Sequence, residues 1–423
     1  MRYFETDGIR GKFGEDINCE LCYRVGLAAA KVCGGVVCVG RDTRRSGEVL
    51  TDALVSGLIR GGCKVRLLGI LPTPAVAYET VESGANLGIM VSASHNPPEY
   101  NGVKMFDGAG YKLRRETEEK IEYYIDNPPA GLASAGSVTR EHNAVDCYVN
   151  SRIKAYKGAL GGVRVCLDCA FGASYDVAER IFEGCGARVK AYNNRPLGER
   201  INDGCGALYP EFVRKKCLNE NTALGFAFDG DADRLSVVES GEVLDGDSVL
   251  YNLYKAESPG GVLVGTVLSN TALERKVEEC GGKLLRTDVG DKYIGEKMRE
   301  NGYAIGGEQS GHYIIAPSTT GDGVMSALVL TSYLCRGGSL QSPERLTLTP
   351  QKSVSMPAPR SIIESDGIKK LTAKFTKALA PYGRILVRYS GTEPKVRVMA
   401  ESEDAAAVEE ALNAFSEYVK NYK

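Results

Sequence analysis

Asp229, Asp231 and Asp233 alternate with small residues in the run Asp229-Gly-Asp-Ala-Asp-Arg234. In an extended loop such carboxylates converge on one cation, and three carboxylate oxygens suit a hard ion, Mg²⁺ above all. A calcium loop of the EF-hand kind starting at Asp229 would need glycine at its sixth position and glutamate at its twelfth, where this chain has Arg234 and Ser240. The plain alternative is a solvated acidic turn, but clustered carboxylates left unneutralised repel one another. Arg234, adjacent to the triad, points to an anionic group nearby.

Ser94 stands in Ser92-Ala-Ser-His-Asn-Pro97, between a strand-like run and the turn-forming Asn96-Pro97. Its hydroxyl is a candidate nucleophile that a metal or base would activate. A lone serine there would more simply cap a turn. Its neighbours favour chemistry: His95 and His312 are two of only three histidines, and both sit in loops rich in glycine or proline. Lys104 is a nearby potential proton donor, with an ordinary surface lysine as its bland reading. A third motif, Gly306-Gly-Glu-Gln-Ser-Gly-His312, and a fourth, Arg388-Tyr-Ser-Gly-Thr-Glu-Pro394 followed by Lys395 and Arg397, complete the set. The fourth offers the hydroxyls, turn amides and guanidinium groups that a phosphate needs.

These motifs need elements to hold them. Val36–Val39, Val65–Leu68 and Leu87–Ala93 read as strands, with a helical spacing over Leu50, Ala53, Leu54, Gly57 and Leu58 between the first two. The same grammar recurs with strands at Val163–Asp168, Val189–Tyr192 and Leu224–Phe228 and a helix over Asp176–Phe182. It recurs again with strands at Val262–Leu268, Lys283–Arg286 and Tyr303–Ile305 and a helix over Thr271–Glu279. Alternation of this kind predicts α/β layers with largely parallel strands. The tail differs: Arg384–Tyr389 and Lys395–Ala400 flank the Gly-Thr-Glu-Pro turn, and Val408, Ala411, Leu412, Phe415 and Val419 mark an amphipathic helix. The expected organisation is three similar α/β/α domains, over 1–138, 139–241 and 242–342, plus a smaller C-terminal α+β domain over 343–423. Each α/β unit places its motif just after a strand, where ligands bind in open sheets, so the three strand ends can face one shared central cleft.

Composition narrows the classes. A chain of 423 residues, 43% hydrophobic, is too long for one compact domain. A formal net charge of -2 lacks the basic excess of a nucleic-acid binder. No apolar leader and no run of about 18 apolar residues is present, so a cytoplasmic protein with no membrane partner is expected. The 13 cysteines then read as reduced and mostly buried, Cys166 and Cys169 included. The chain contains no G-x-x-x-x-G-K-[ST], no G-x-G-x-x-G and no G-x-S-x-G, which counts against nucleotide hydrolases, dinucleotide enzymes and esterases. What remains is a Mg²⁺ enzyme acting on a phosphorylated polyol with serine as phosphoryl carrier, either a phosphatase or a mutase.

The four motifs in this order resemble the α-D-phosphohexomutase superfamily over nearly the whole chain. Within it, Tyr3-Phe-Glu-Thr-Asp-Gly-Ile-Arg-Gly11, Gly40-Arg-Asp-Thr-Arg44, Leu71-Pro-Thr-Pro-Ala75, Gly265-Thr-Val-Leu-Ser-Asn270, Gln309 and Asp291 are similar to the phosphoglucosamine mutase branch. The resemblance implies interconversion of glucosamine 6-phosphate and glucosamine 1-phosphate through a phosphoserine at Ser94 and a 1,6-bisphosphate. It implies one Mg²⁺ per subunit on Asp229, Asp231, Asp233 and the Ser94 phosphate, with a sugar 1,6-bisphosphate as activator. Glu308 and Ser310 would bind sugar hydroxyls; Arg388, Ser390, Gly391, Thr392 and Arg397 would grip the distal phosphate. Arg10, His95, Lys104, Arg234 and His312 would surround the transferring group, Lys104 as general acid or base. A homodimer and an activating kinase are the protein partners this reading admits. Glu5, Phe171 and Lys292 depart from the family pattern, which has Gly, Asn and Arg there, and the chain is trimmed near 15–35 and 340–365. The rivals are a phosphomannomutase/phosphoglucomutase of the same fold, a Mg²⁺-dependent sugar phosphatase, and a sugar-phosphate binder without catalysis.

Overall fold

Four sheets carry the chain in the computed structural model, which describes residues 2–5, 7–129, 136–340, 346–381, 383–390 and 394–422. The first sheet orders its strands as Phe4–Glu5, Gly8–Lys12, Tyr100–Asp107, Leu87–Val91, Val36–Arg41, Lys64–Ile70 and Ser137–Arg140. Its last four are mutually parallel, as strands joined through helices must be, and its first three run antiparallel. In the second, Leu224–Phe228, Arg164–Asp168 and Arg188–Tyr192 are parallel, and Leu235–Glu239 and Glu242–Val243 turn back along them. In the third, Lys283–Thr287, Val262–Thr266 and Ile305–Gly307 are parallel and Tyr313–Ile315 returns antiparallel. The fourth is a three-stranded antiparallel sheet of Gln351–Pro357, Lys395–Glu401 and Arg384–Tyr389. Three α/β units and a smaller α+β unit are therefore present. The strands Ser137–Arg140 and Glu242–Val243 reach two residues past the boundaries expected at 138 and 241, because each pairs with the sheet before it.

The three α/β motifs occupy equivalent places. Each joins a parallel strand, buried throughout, to an antiparallel neighbour: Leu87–Val91 to Tyr100–Asp107, Leu224–Phe228 to Leu235–Glu239, and Ile305–Gly307 to Tyr313–Ile315. The chain must reverse tightly there, which is why these stretches hold glycine, asparagine and residues at positive φ, Ser94 (53°) and Ala232 (57°) among them. The fourth motif also joins antiparallel neighbours, Arg384–Tyr389 and Lys395–Glu401.

Packing fixes the units. Asn18 caps the helix Cys19–Val32 by accepting from Leu21 N, and this helix crosses Gly47–Arg60 closely enough that a Cβ on Gly26 would lie 2.1 Å from Leu54 O. One apolar cluster runs from Met90 through Phe226 and Leu250 to Leu328, across all three α/β units. The C-terminal unit has its own core of Ile362, Phe375, Val396, Val398 and Phe415, and all five apolar positions expected on the last helix, Ala405–Asn421, are buried there. Burying each such large side chain contributes about 1.5–3 kcal/mol. Cys166 and Cys169, three residues apart, pack into different clusters. Among the described residues no helix is long and apolar enough to cross a membrane.

Candidate active site

Ser94 follows the end of the strand Leu87–Val91 and is fully buried, with φ 53°. A non-glycine residue at such a φ persists only where its surroundings over-determine it. Arg44 supplies much of that constraint. Its guanidinium, itself buried, donates from Nε to Asp42 Oδ2 (2.9 Å), from Nη2 to Ser94 O (2.9 Å) and Asn96 O (2.8 Å), and from Nη1 to Tyr100 O (2.9 Å) and Pro97 O. Asn202, from the second unit, donates to the same carbonyls of Ser94 (2.9 Å) and Asn96 (3.1 Å). Ser92 Oγ donates to Asp42 Oδ2 (2.7 Å) and accepts from Ser94 N (2.9 Å). Arg44 falls in a run noted only for its resemblance, and Asn202 carries no local signal at all.

The serine hydroxyl donates to Asp229 Oδ2 at 2.5 Å and lies 3.3 Å from His95 Nδ1. Asp229, Asp231 and Asp233 are buried, and each offers an oxygen within 4.8 Å of the others. Burial and the two neighbouring aspartates push Asp229 well above the ordinary carboxylate range. Thr73 donates from Oγ1 to Asp231 Oδ2 (2.5 Å). Asp231 Oδ1 and Asp233 Oδ1 are buried acceptors without a hydrogen-bond partner. A set of oxygen-only ligands with two orphaned lone-pair sites fits a hard divalent cation.

Cations surround these acids. Lys104, only 1% exposed, donates to Asp233 Oδ2 (2.6 Å) and Asp231 Oδ2 (2.8 Å) and lies 3.2 Å from Asp7 Oδ2. The surface reading of this lysine is overturned, because the strand Tyr100–Asp107 is buried on both faces. Burial alone would lower its pKa, but Asp231, Asp233 and Asp7 hold it well above the ordinary lysine value, so it is an ammonium with a proton to give. His95 differs: burial, with Arg234 and Arg10 nearby, pushes it down to about 3, leaving a neutral imidazole beside Ser94 Oγ. His312 Nε2 lies 2.9 Å from Asp291 Oδ2 and 3.0 Å from Gly321 N. One nitrogen cannot donate to the first and accept from the second. The buried carboxylate decides, and against the cost of burial Asp291 and Asp233 raise His312 toward the imidazolium. Arg10 pairs with Asp7, and the Nε groups of Arg10 and Arg234 are buried donors without hydrogen-bond partners. Asp7 and Lys112, which contact this cluster, were not singled out by sequence pattern.

The third and fourth motifs lie beyond. Glu308 Oε1 accepts from Gly290 N (2.8 Å) and Oε2 from Ser310 Oγ (3.2 Å), which orients a partly exposed carboxylate able to accept from two adjacent hydroxyls. Arg388 and Arg397 are directly opposed in their antiparallel pair. Like charges in that arrangement repel, and burial together with Arg397 lowers the Arg388 pKa, partly offset by Asp288 and Glu308. An anion placed between the two guanidiniums would relieve the repulsion. The strand holding Arg388 is anchored to the third unit by Arg384, which donates to Glu401 Oε2 (2.6 Å), Val267 O (2.8 Å) and Ser269 O (2.6 Å). Ser390 is buried, its N donating to Lys395 O (2.8 Å). Gly391 and Thr392 lie outside the described residues.

The chain is similar to known proteins over nearly its whole length. Models of phosphoglucomutase/phosphomannomutase alpha/beta/alpha domain I, alpha/beta/alpha domain III and C-terminal domain match residues 1–130, 245–350 and 353–417. The phosphoglucosamine mutase of Clostridioides difficile is 41% identical, the alignment covering 97% of this chain and 96% of that one. That of Carboxydothermus hydrogenoformans is 42% identical over 97% and 98%. A crystal structure of a phosphoglucomutase/phosphomannomutase family protein from Burkholderia thailandensis superposes with a TM-score of 0.82 at 26% identity, covering 98% of this chain and 96% of that one.

Proposed function

The chain belongs to the α-D-phosphohexomutase superfamily and is most like its phosphoglucosamine mutases, and on that premise we propose that it interconverts glucosamine 6-phosphate and glucosamine 1-phosphate in the cytoplasm. The carrying observation is a path of groups across three motifs beside an opposed arginine pair on the fourth. It starts at Ser94 Oγ on Asp229, passes through Asp233 to His312 and continues along the same loop to Glu308, and Arg388 stands opposite Arg397 on the fourth.

The residues divide the work. Ser94 carries the phosphoryl group. The sugar O1 hydroxyl attacks phosphorus and the P–Oγ bond breaks; the ammonium of Lys104 gives a proton to Oγ and regains one from O1. The resulting 1,6-bisphosphate turns over, Ser94 Oγ attacks its 6-phosphorus as the P–O6 bond breaks, and the same relay runs in reverse, taking up the serine proton and returning one to O6, while neutral His95, 3.3 Å from Oγ, orients the hydroxyl. The free Nε groups of Arg10 and Arg234 meet the phosphoryl oxygens. Asp229, Asp231 and Asp233, with the Ser94 phosphate, would hold one Mg²⁺, which when bound neutralises charge developing on the transferring group. Glu308 and Ser310 take the sugar hydroxyls. Arg388, Ser390 and Arg397, with Gly391 and Thr392, grip whichever phosphate is not reacting, so this clamp accepts either end of the sugar.

The test is turnover of glucosamine 6-phosphate beside glucose and mannose 1-phosphates, with Mg²⁺ and a sugar 1,6-bisphosphate as primer. Preference for the amino sugar, abolished in Ser94→Ala, is the expected result. Preference for glucose or mannose phosphate overturns the substrate while keeping the mechanism. Stoichiometric release of inorganic phosphate in place of isomerisation makes the protein a phosphatase.

A further inference from the structure

Six charged side chains close into a ring of alternating sign. Lys112 Nζ pairs with both Asp7 and Asp291; Asp291 Oδ2 lies 2.9 Å from His312 Nε2; and His312 Nδ1 is 3.8 Å from Asp233 Oδ1. Asp233 Oδ2 is 2.6 Å from Lys104 Nζ, which is 3.2 Å from Asp7 Oδ2 and so returns to the start. Asp7, Lys104 and Lys112 come from the first unit, Asp233 from the second, and Asp291 and His312 from the third. Asp233, Lys104 and His312 face the transfer chemistry. Asp291 touches His312 directly, and Lys112 touches Asp291 and Asp7, the latter a partner of Lys104.

A stability role does not account for this pair. Taking several charges out of water costs more than an apolar contact of the same volume, so buried ion networks are weak stabilisers. The same two units are already tied by a second buried bridge, Lys292 Nζ to Glu118 Oε2 at 2.6 Å, which does not contact His312. Lys112 and Asp291 also line a cavity of about 780 Å³ between the first unit, the helix Asp291–Asn301 and Arg360. They are the two members of the ring that face that cavity.

We propose that Lys112 and Asp291 are positioning residues for the phosphoryl transfer: together they set the place of His312 and, through Asp7, of Lys104, and they close the reacting centre to water from the adjoining cavity. The inference rests on the mutase reading above. Groups one contact removed from the chemistry cost about 10- to 100-fold when their orienting partner is lost. Asp291→Asn and Lys112→Met are each expected to lower kcat for glucosamine 6-phosphate by about that factor with KM little changed. Phosphate released per isomerisation should rise in both. The double variant should fall no further than the worse single one, because the two act as one unit. Lys292→Met is the control, expected to lower the thermal midpoint and leave kcat per folded molecule unchanged.

If the Asp291 and Lys112 variants behave like that control, losing midpoint but keeping kcat and the phosphate ratio, the proposal is overturned. Where Asp291→Asn fails to fold, Asp291→Glu keeps the charge and shifts it by one methylene; undiminished kcat in that variant also overturns it. A wild-type protein inert toward the sugar phosphate refutes the mutase reading and this inference with it. An active wild type with unimpaired variants refutes only the inference.

Discussion

Replacing Arg44 by lysine tests how the loop that holds Ser94, the proposed nucleophile, is kept in place. All five N–H donors of this buried guanidinium are used: one on Asp42 and four on the carbonyls of Ser94, Asn96, Pro97 and Tyr100. Lysine keeps the charge but has three donors, so at least two acceptors in this buried site lose their partner. At about 1.5–3 kcal/mol for each hydrogen bond from a charged donor, Arg44→Lys costs about 3–6 kcal/mol. That is a large share of the about 5–15 kcal/mol by which a domain is stable. Every carbonyl affected lies in the stretch 94–100, so part of the cost is expected as local loosening of the Ser94 loop. Urea unfolding reads the global part. The rate of Ser94 phosphorylation from a labelled sugar bisphosphate reads the local part, where about 3 kcal/mol corresponds to a loss of about 10². The two losses together should reach about 3 kcal/mol. A sum under about 1 kcal/mol would refute the claim that this guanidinium holds the loop.

Two further outcomes follow from the same physics. Burial pushes the Asp247 carboxyl up to about 7 from an ordinary 3.8; among the described residues Oδ2 accepts from Asn270 N (2.8 Å) and Oδ1 has no hydrogen-bond partner. The unfolded chain gives up this proton at lower pH than the folded one, so wild-type stability falls as pH rises from 3.8 through about 7, by at most about 1.4 kcal/mol per pH unit. Asp247→Asn has no proton to lose, so urea midpoints measured across that window should shift progressively in the variant's favour; parallel pH profiles would contradict the assignment. Arg388→Ala removes one of the two opposed guanidiniums, and loss of a charged hydrogen bond to phosphate should raise KM about tenfold or more with a smaller change in kcat. An unchanged KM in steady-state kinetics would place the distal phosphate elsewhere.

The candidate site was legible in the sequence because its groups sit in or beside short connectors whose residue types are diagnostic. Ser94, the aspartate triad and Glu308 fall in reversals between strands, Arg388 lies in the strand just before one, and the alternation of apolar runs with helical spacing was enough for the α/β class. The antiparallel return strands were missed, although a signal existed. Only six residues separate Phe228 from Leu235, and eight separate Val91 from Tyr100, too few for the crossover that a parallel strand needs. What the local pattern could not carry is which charges meet. Lys112 is 105 positions from Asp7 and 179 from Asp291, and Asn202 reaches the Ser94 carbonyl from 108 positions away in another unit.

That gap has a physical cause. A carboxylate is recognisable from spacing, but its charge state is set by the nearest cation, and that cation is brought by the fold. Asp229 and Asp233 belong to one six-residue motif and are equally buried from water, yet they are driven in opposite directions. Asp229 goes up, because burial and its sister aspartates dominate. Asp233 is held below the usual range, because Lys104 and His312 outweigh the same burial. The spacing within Asp229–Arg234 is symmetrical and cannot distinguish them. The asymmetry enters from a strand of the first unit and a loop of the third, and it leaves the aspartate that holds the Ser94 hydroxyl chemically distinct from the one that holds the lysine.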